Sequence, residues 1–66
     1  MTVEEVVKAV EDVKARKGDD ESAHGAEDSL YQSLLESIAL GTCEDPETCA
    51  LEAIKAADID FARWCA

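Results

Sequence analysis

Ser22–Gly41, SAHGAEDSLYQSLLESIALG, is the stretch whose reading decides the fold. Wound at 3.6 residues per turn, it places Ala23, Ala26, Leu30, Leu34 and Ile38 in one stripe, with Tyr31 and Leu35 widening it on one side. Gly25, Ser29, Gln32 and Glu36 take the opposite face. Gly41 can adopt the left-handed conformation that closes a helix C-terminus. The stretch therefore reads as a central helix whose apolar stripe the rest of the chain folds to cover. Asp19, Asp20, Glu21 and Ser22 offer caps for a start between Asp20 and Ala23. A start at Asp28 would instead leave residues 18–27 as an acidic loop, the less economical alternative.

Upstream, Thr2-Val3-Glu4-Glu5 has the form of a capping box, in which a threonine hydroxyl and a glutamate three residues on satisfy each other's backbone amides. Val3, Val6, Val7, Val10 and Val13 then keep the spacing of one buried stripe, while Glu4, Lys8, Asp12 and Arg16 form a ladder of alternating charge on the exposed side. Valine is a mediocre helix former, so packing has to hold this helix together. Lys14, Arg16 and Lys17 suit its negative end, and Gly18 can terminate it.

Downstream, Asp45 is a good N-cap and Pro46 suits the first helical position, where a missing N–H costs nothing. From there Ala50, Ile54, Ala57, Phe61 and Trp64 continue one stripe. Two readings stay open: a third helix unbroken to Cys65, or one split at Asp58, with Asp58 capping a short fourth helix. The expected fold is all-α, a small three-helix bundle with helices near residues 2–17, 20–41 and 46–65, packed up-down-up because the connections are short. Its core should be Val6, Val10, Val13, Leu30, Leu34, Ile38, Ile54, Phe61 and Trp64.

The chain's 66 residues allow one domain, 1–66, near the lower size limit for a single apolar core. Apolar residues at 47% against 33% charged argue for a folded chain, and with three aromatics the core must be mostly aliphatic. No run approaches the roughly twenty apolar residues that span a bilayer, and the N-terminus lacks the basic start and apolar middle of a secretion signal, so the expectation is a cytoplasmic protein without membrane contact. The net charge of −10 is uneven: residues 1–17 hold four acids and four bases, residues 18–66 twelve and two. Such a surface should repel nucleic acid and favour a basic protein partner. Half of the sixteen acids sit where three helices begin and complement the helix dipole.

No complete active site is legible, and the expectation is a protein that is not an enzyme and carries no cofactor. Cys43, Cys49, Cys65 and His24 are possible metal ligands, but Cys-x5-Cys is not the two-to-four-residue knuckle of zinc sites and no second close pair exists, so no metal is expected. A Cys43–Cys49 disulfide is conceivable in space and disfavoured in a reducing compartment; apolar filler is the better reading. His24 has no nucleophile or carboxylate at a spacing that implies a dyad. Trp64 reads as core. Val7, Tyr31, Leu35, Leu40 and Leu51 lie at stripe edges or helix ends and are candidates for a homodimer contact.

Gly25-Ala26-Glu27-Asp28-Ser29-Leu30 resembles the acyl carrier proteins, whose serine at such a motif bears a phosphopantetheine arm; the resemblance would imply modification at Ser29. It spans six residues, and carrier proteins have a longer loop before that serine. Cys43-Glu44-Asp45-Pro46-Glu47-Thr48-Cys49-Ala50 and the ending Ala57-Asp58-Ile59-Asp60-Phe61-Ala62-Arg63-Trp64-Cys65-Ala66 resemble small acidic proteins of unknown function encoded by bacteriophages of mycobacteria and related actinobacteria. That likeness implies a bacterial host cytoplasm and a host-directed binding role. The leading expectation is a non-enzymatic binding protein engaging a partner through its helical surface. The alternatives are an acidic DNA mimic and a carrier protein.

Overall fold

The computed structural model describes residues 1–63 and is a small all-α fold: α1 (Val3–Ala15), α2 (Asp20–Ala39) and α3 (Pro46–Ala53), the last running into a 3-10 turn over Ile54–Asp58. Each start is fixed by the residue expected to fix it. The Glu5 amide donates to Thr2 Oγ1 at 3.1 Å and the Thr2 amide to Glu5 Oε1 at 2.8 Å, a closed capping box. Asp19 accepts from the Ser22 amide at 3.2 Å, so α2 begins at Asp20 and Gly25 lies inside it. Asp45 accepts from the Thr48 amide at 3.2 Å and from the Thr48 hydroxyl at 2.7 Å, with Pro46 in the first turn.

The ends differ more. α2 closes in a Schellman motif: Gly41 sits at φ 71°, its amide donates to Ile38 O, and the Thr42 amide reaches Ser37 O at 2.9 Å. α1 ends at Ala15 with Arg16 as its cap, and Gly18 is not in the left-handed region, so it is a turn residue and not the terminator.

α1 and α2 are antiparallel. The Met1 amine donates to Ser37 Oγ and to Thr42 O, both at 2.9 Å, at one end, and Arg16 donates to Ser22 Oγ at 3.0 Å at the other. The third segment returns along them: Glu44 N–H bonds Met1 O near the start of α1, and Ala62 N–H reaches Asp20 at the start of α2. This is the up-down-up course that short connections impose.

The core has two parts. Val6, Leu30, Leu34, Cys49, Ala53 and Ala56 form the larger, beneath α3 and the 3-10 turn. Val13, Ala23 and Phe61 form the smaller at the far end, with Ile59 packed against both. α3 is too short to reach that end, and the extended chain after Asp58 covers it instead by inserting Phe61.

Three expected core positions need correction. Ile38 is 40% exposed and Ile54 61% exposed, and Val10 is half-buried against the larger cluster. Trp64 and Cys65 lie outside the described residues. On the third segment the buried row is Cys49, Ala53 and Ala56, and Ala50, Ile54 and Ala57 are exposed. Within α3 the inward row is already Cys49 and Ala53, one position from the expected Ala50 and Ile54. From Ile54 the winding tightens to about three residues per turn, which carries that row from Ala53 to Ala56 to Ile59, so the third α-helix ends at Ala53 and is not the continuous helix expected over 46–65. Asp58 ends the 3-10 turn and does not cap a following helix. At the end of α2, Ser37 turns inward under the returning residues Met1 and Thr42, and Ile38 rolls outward in consequence.

Candidate functional site

The densest polar arrangement is buried at the middle of α2. Glu27 is 4% exposed and receives Arg63 in a two-pronged ion pair, Nε to Oε1 at 2.9 Å and Nη2 to Oε2 at 3.1 Å. The Tyr31 hydroxyl, one turn on, donates to Glu27 Oε2 at 3.0 Å. Arg63 also donates to the carbonyls of Ala56 at 3.0 Å and Phe61 at 3.3 Å, and its guanidinium lies 3.9 Å from the centre of the Phe61 ring. Burial alone would raise the Glu27 pKa; the hydrogen bonds from Arg63 and Tyr31 outweigh it and hold the carboxyl below its ordinary value. Burial, then the Glu27 hydrogen bond and charge, push the Tyr31 phenol up to about 12. Every oxygen of Glu27 is occupied and Arg63 stays protonated, so the cluster is a clasp that pins the C-terminal segment onto α2. It offers no free acid or base.

His24 stands one turn before. Its Nε2 is 3.5 Å from Asp28 Oδ2, an ion pair when the imidazole is protonated, and its Nδ1 is buried without a hydrogen-bond partner among the described residues. The sequence reading gave His24 no carboxylate at a meaningful spacing; the four-residue offset to Asp28 on one helix face supplies it.

Cys43 and Cys49 are free thiols, Cys43 half-buried and Cys49 fully buried, where they act as the expected apolar filler. Burial and the neighbouring Cys43 thiol push the Cys49 pKa above its ordinary value, and its Sγ donates to Glu44 O at 3.7 Å. A raised thiol pKa means little thiolate and low reactivity. Cys65 lies outside the described residues, and no group of three or more His, Cys, Asp or Glu is placed to hold a metal among those described.

Ser29 is exposed in the interior of α2, three turns from its start and not at a helix N-terminus as in a carrier protein. It lines an open cleft of about 550 Å³ with Ser22, Gly25, Ala26 and Ser33 of α2 and with Ala9 and Asp12 of α1.

An apolar depression lies between α2 and α3. Tyr31, Leu34, Leu35 and Ile38 on one bank and Ala50, Ala53 and Ile54 on the other enclose a depression of about 240 Å³. Leu35 is 67% and Ile54 61% exposed. Leu40, which caps α2, and Leu51 on α3 are also exposed. The sequence reading marked Tyr31, Leu35, Leu40 and Leu51 as edge residues and missed Ile38 and Ile54, because both fit a 3.6-residue stripe. Among the described residues no helix is long and apolar enough to cross a membrane. Compared with known proteins, the chain matches no family model, no curated protein and no solved structure.

Proposed function

We propose that this protein is a non-enzymatic binding module that engages a partner protein through its helical surface. The observation that carries the reading is the set of large aliphatic side chains left in water along the depression between α2 and the third segment: Leu35, Ile38 and Ile54. In a domain this small each of them could have strengthened a marginal core, and contiguous exposed apolar surface on a soluble domain marks an interaction site. The Glu27–Arg63–Tyr31 cluster supports the same view, since both carboxylate oxygens of Glu27 are taken by internal hydrogen bonds. The likeness of residues 43–50 and 57–66 to actinobacteriophage proteins makes a host protein the natural partner class.

The test is site-specific photo-cross-linking in an actinobacterial extract, with the photoreactive residue placed in turn at Leu35, Ile54, Glu4 and Glu11. One defined adduct, competed by unlabelled protein and reconstituted with the purified partner, is the expected result. Adduct-free reactions from all four positions would remove the reading. Competition of the adduct by duplex DNA, with steep salt dependence, would replace it with DNA mimicry. A phosphopantetheine mass increment on Ser29 after treatment with a phosphopantetheinyl transferase and coenzyme A would replace it with a carrier role.

A further inference from the structure

The depression between α2 and α3 is walled by apolar side chains, and each wall carries one exposed carboxylate in line with it. Tyr31, Leu35 and Ile38 form one wall, Ala50 and Ile54 the other. Asp28 lies two helical turns ahead of Leu35 on the same row of α2, and Glu47 lies two turns ahead of Ile54 on the same row of the third segment; both are exposed. The bases nearby do not offset them. Lys55 pairs with Glu52 at 2.8 Å and lines a different depression with Val10 and Lys14, and Arg63 is neutralised by Glu27. On the α2 side, His24 Nε2 lies 3.5 Å from Asp28 Oδ2.

Resting on the binding role above, we infer that this groove receives one amphipathic helix of a partner protein, with an aliphatic stripe flanked on both sides by Lys or Arg. Two parallel banks of side chains with an apolar floor suit anchors at positions i, i+3 or i+4, and i+7 of an incoming helix. The charge on the banks selects the flanks. A second copy of this chain fails that requirement: each molecule carries a net charge of −10, and a symmetric contact through the groove would set carboxylate bank against carboxylate bank. A basic-flanked helix gains on both counts, burying Leu35, Ile38 and Ile54 while neutralising Asp28 and Glu47.

Two synthetic helical peptides of about five turns, sharing one leucine stripe and flanked either by Lys and Arg or by Glu, discriminate the possibilities by NMR titration of the isotope-labelled full chain. The basic peptide should shift the resonances of Leu35, Ile38, Ala50 and Ile54 with micromolar affinity, and the acidic peptide should bind at least about tenfold more weakly. Ile54→Glu, at an exposed position that leaves the core intact, should weaken the basic peptide by about tenfold or more with an unchanged circular-dichroism spectrum. Raising salt from about 0.05 to 0.5 M should weaken it further. Equal affinity for both peptides, shifts centred on α1, or unshifted groove resonances would overturn the inference. So would a concentration-dependent dimer in sedimentation whose contact covers Leu35 and Ile54. The two readings fail separately: a partner cross-linked from Glu4 or Glu11 with the groove untouched sinks the groove and leaves the binding module standing. Absence of any cross-linked partner, with groove binding of the basic peptide intact, sinks the cellular reading and leaves the recognition chemistry.

Discussion

Glu27 shows how much one buried charge can organise. With Arg63 in place the carboxylate has a two-pronged partner; without it the same carboxylate would be stranded beneath the C-terminal segment. Removing one partner of such a pair leaves the buried carboxylate uncompensated. Arg63→Ala should therefore lower the urea midpoint, while the double variant Glu27→Gln, Arg63→Met should lose less than the sum of the two singles. pH acts on the same residues with opposite signs. The lowered Glu27 pKa stabilises the fold above the ordinary value of 4.5, and that contribution disappears as pH falls through the lowered folded-state value. The raised pKa values of Tyr31 and Cys49 stabilise the fold below the ordinary values of 10.0 and 9.0, and their contributions are lost as pH rises above them, for Tyr31 up to about 12. Urea midpoints measured across pH should fall on both sides, and Tyr31→Phe should flatten the alkaline limb.

At the scale of the element, the third segment is the informative one. Its inward row is made of small side chains, Cys49, Ala53 and Ala56, which lets it sit close to α1 and α2. Ala56→Leu should then overpack the core and cost about 1–3 kcal/mol, whereas Ile54→Ala should stay within about 0.5 kcal/mol. A helix of constant pitch with Ile54 inside would reverse that order, so thermal unfolding of the two variants decides between the geometries. Asp45 offers a second test. It caps α3 while holding the left-handed conformation at φ 56°, so Asp45→Ala gives up the cap and the local hydrogen bonding that eases that backbone, at a cost of about 1–2 kcal/mol. Asp45→Gly should cost distinctly less, since glycine tolerates both the backbone and the cap position. The Pro46 boundary was legible from local chemistry because capping depends on residues a few positions apart. The tightening at Ile54 was not, because Ala50, Ile54 and Ala57 satisfy one periodicity as well as Ala53, Ala56 and Ile59 satisfy another.

For the whole molecule, charge and burial pull against each other. A net charge of −10 on 66 residues opposes compaction, and only part of it is offset at helix N-termini and by Arg63. Added salt should screen the repulsion and raise the thermal midpoint by several degrees between about 0.05 and 0.5 M NaCl, beyond what it removes from the exposed Arg16–Asp12 pair. A midpoint that fell with salt would mean that attractive pairs outweigh the net repulsion. The groove between α2 and α3 belongs to this scale too, since it exists only where two helices leave their aliphatic edges side by side.

The linear order of residues was sufficient for the helix starts and for the extent of the first two helices. Thr2, Asp19 and Asp45 are caps by their own chemistry, Gly41 closes α2 by its freedom at positive φ, and Val6, Val13, Leu30 and Leu34 reach the interior by spacing alone. Packing decided what spacing leaves degenerate: which row of the third segment turns inward, that Ser37 is buried and Ile38 is not, and that Glu27 finds Arg63 across 36 positions of chain. The division has a physical cause. Capping and periodicity are local and act in any context, whereas the partner of a buried carboxylate, or the face a helix hides, is chosen by the competition of all segments for one small interior.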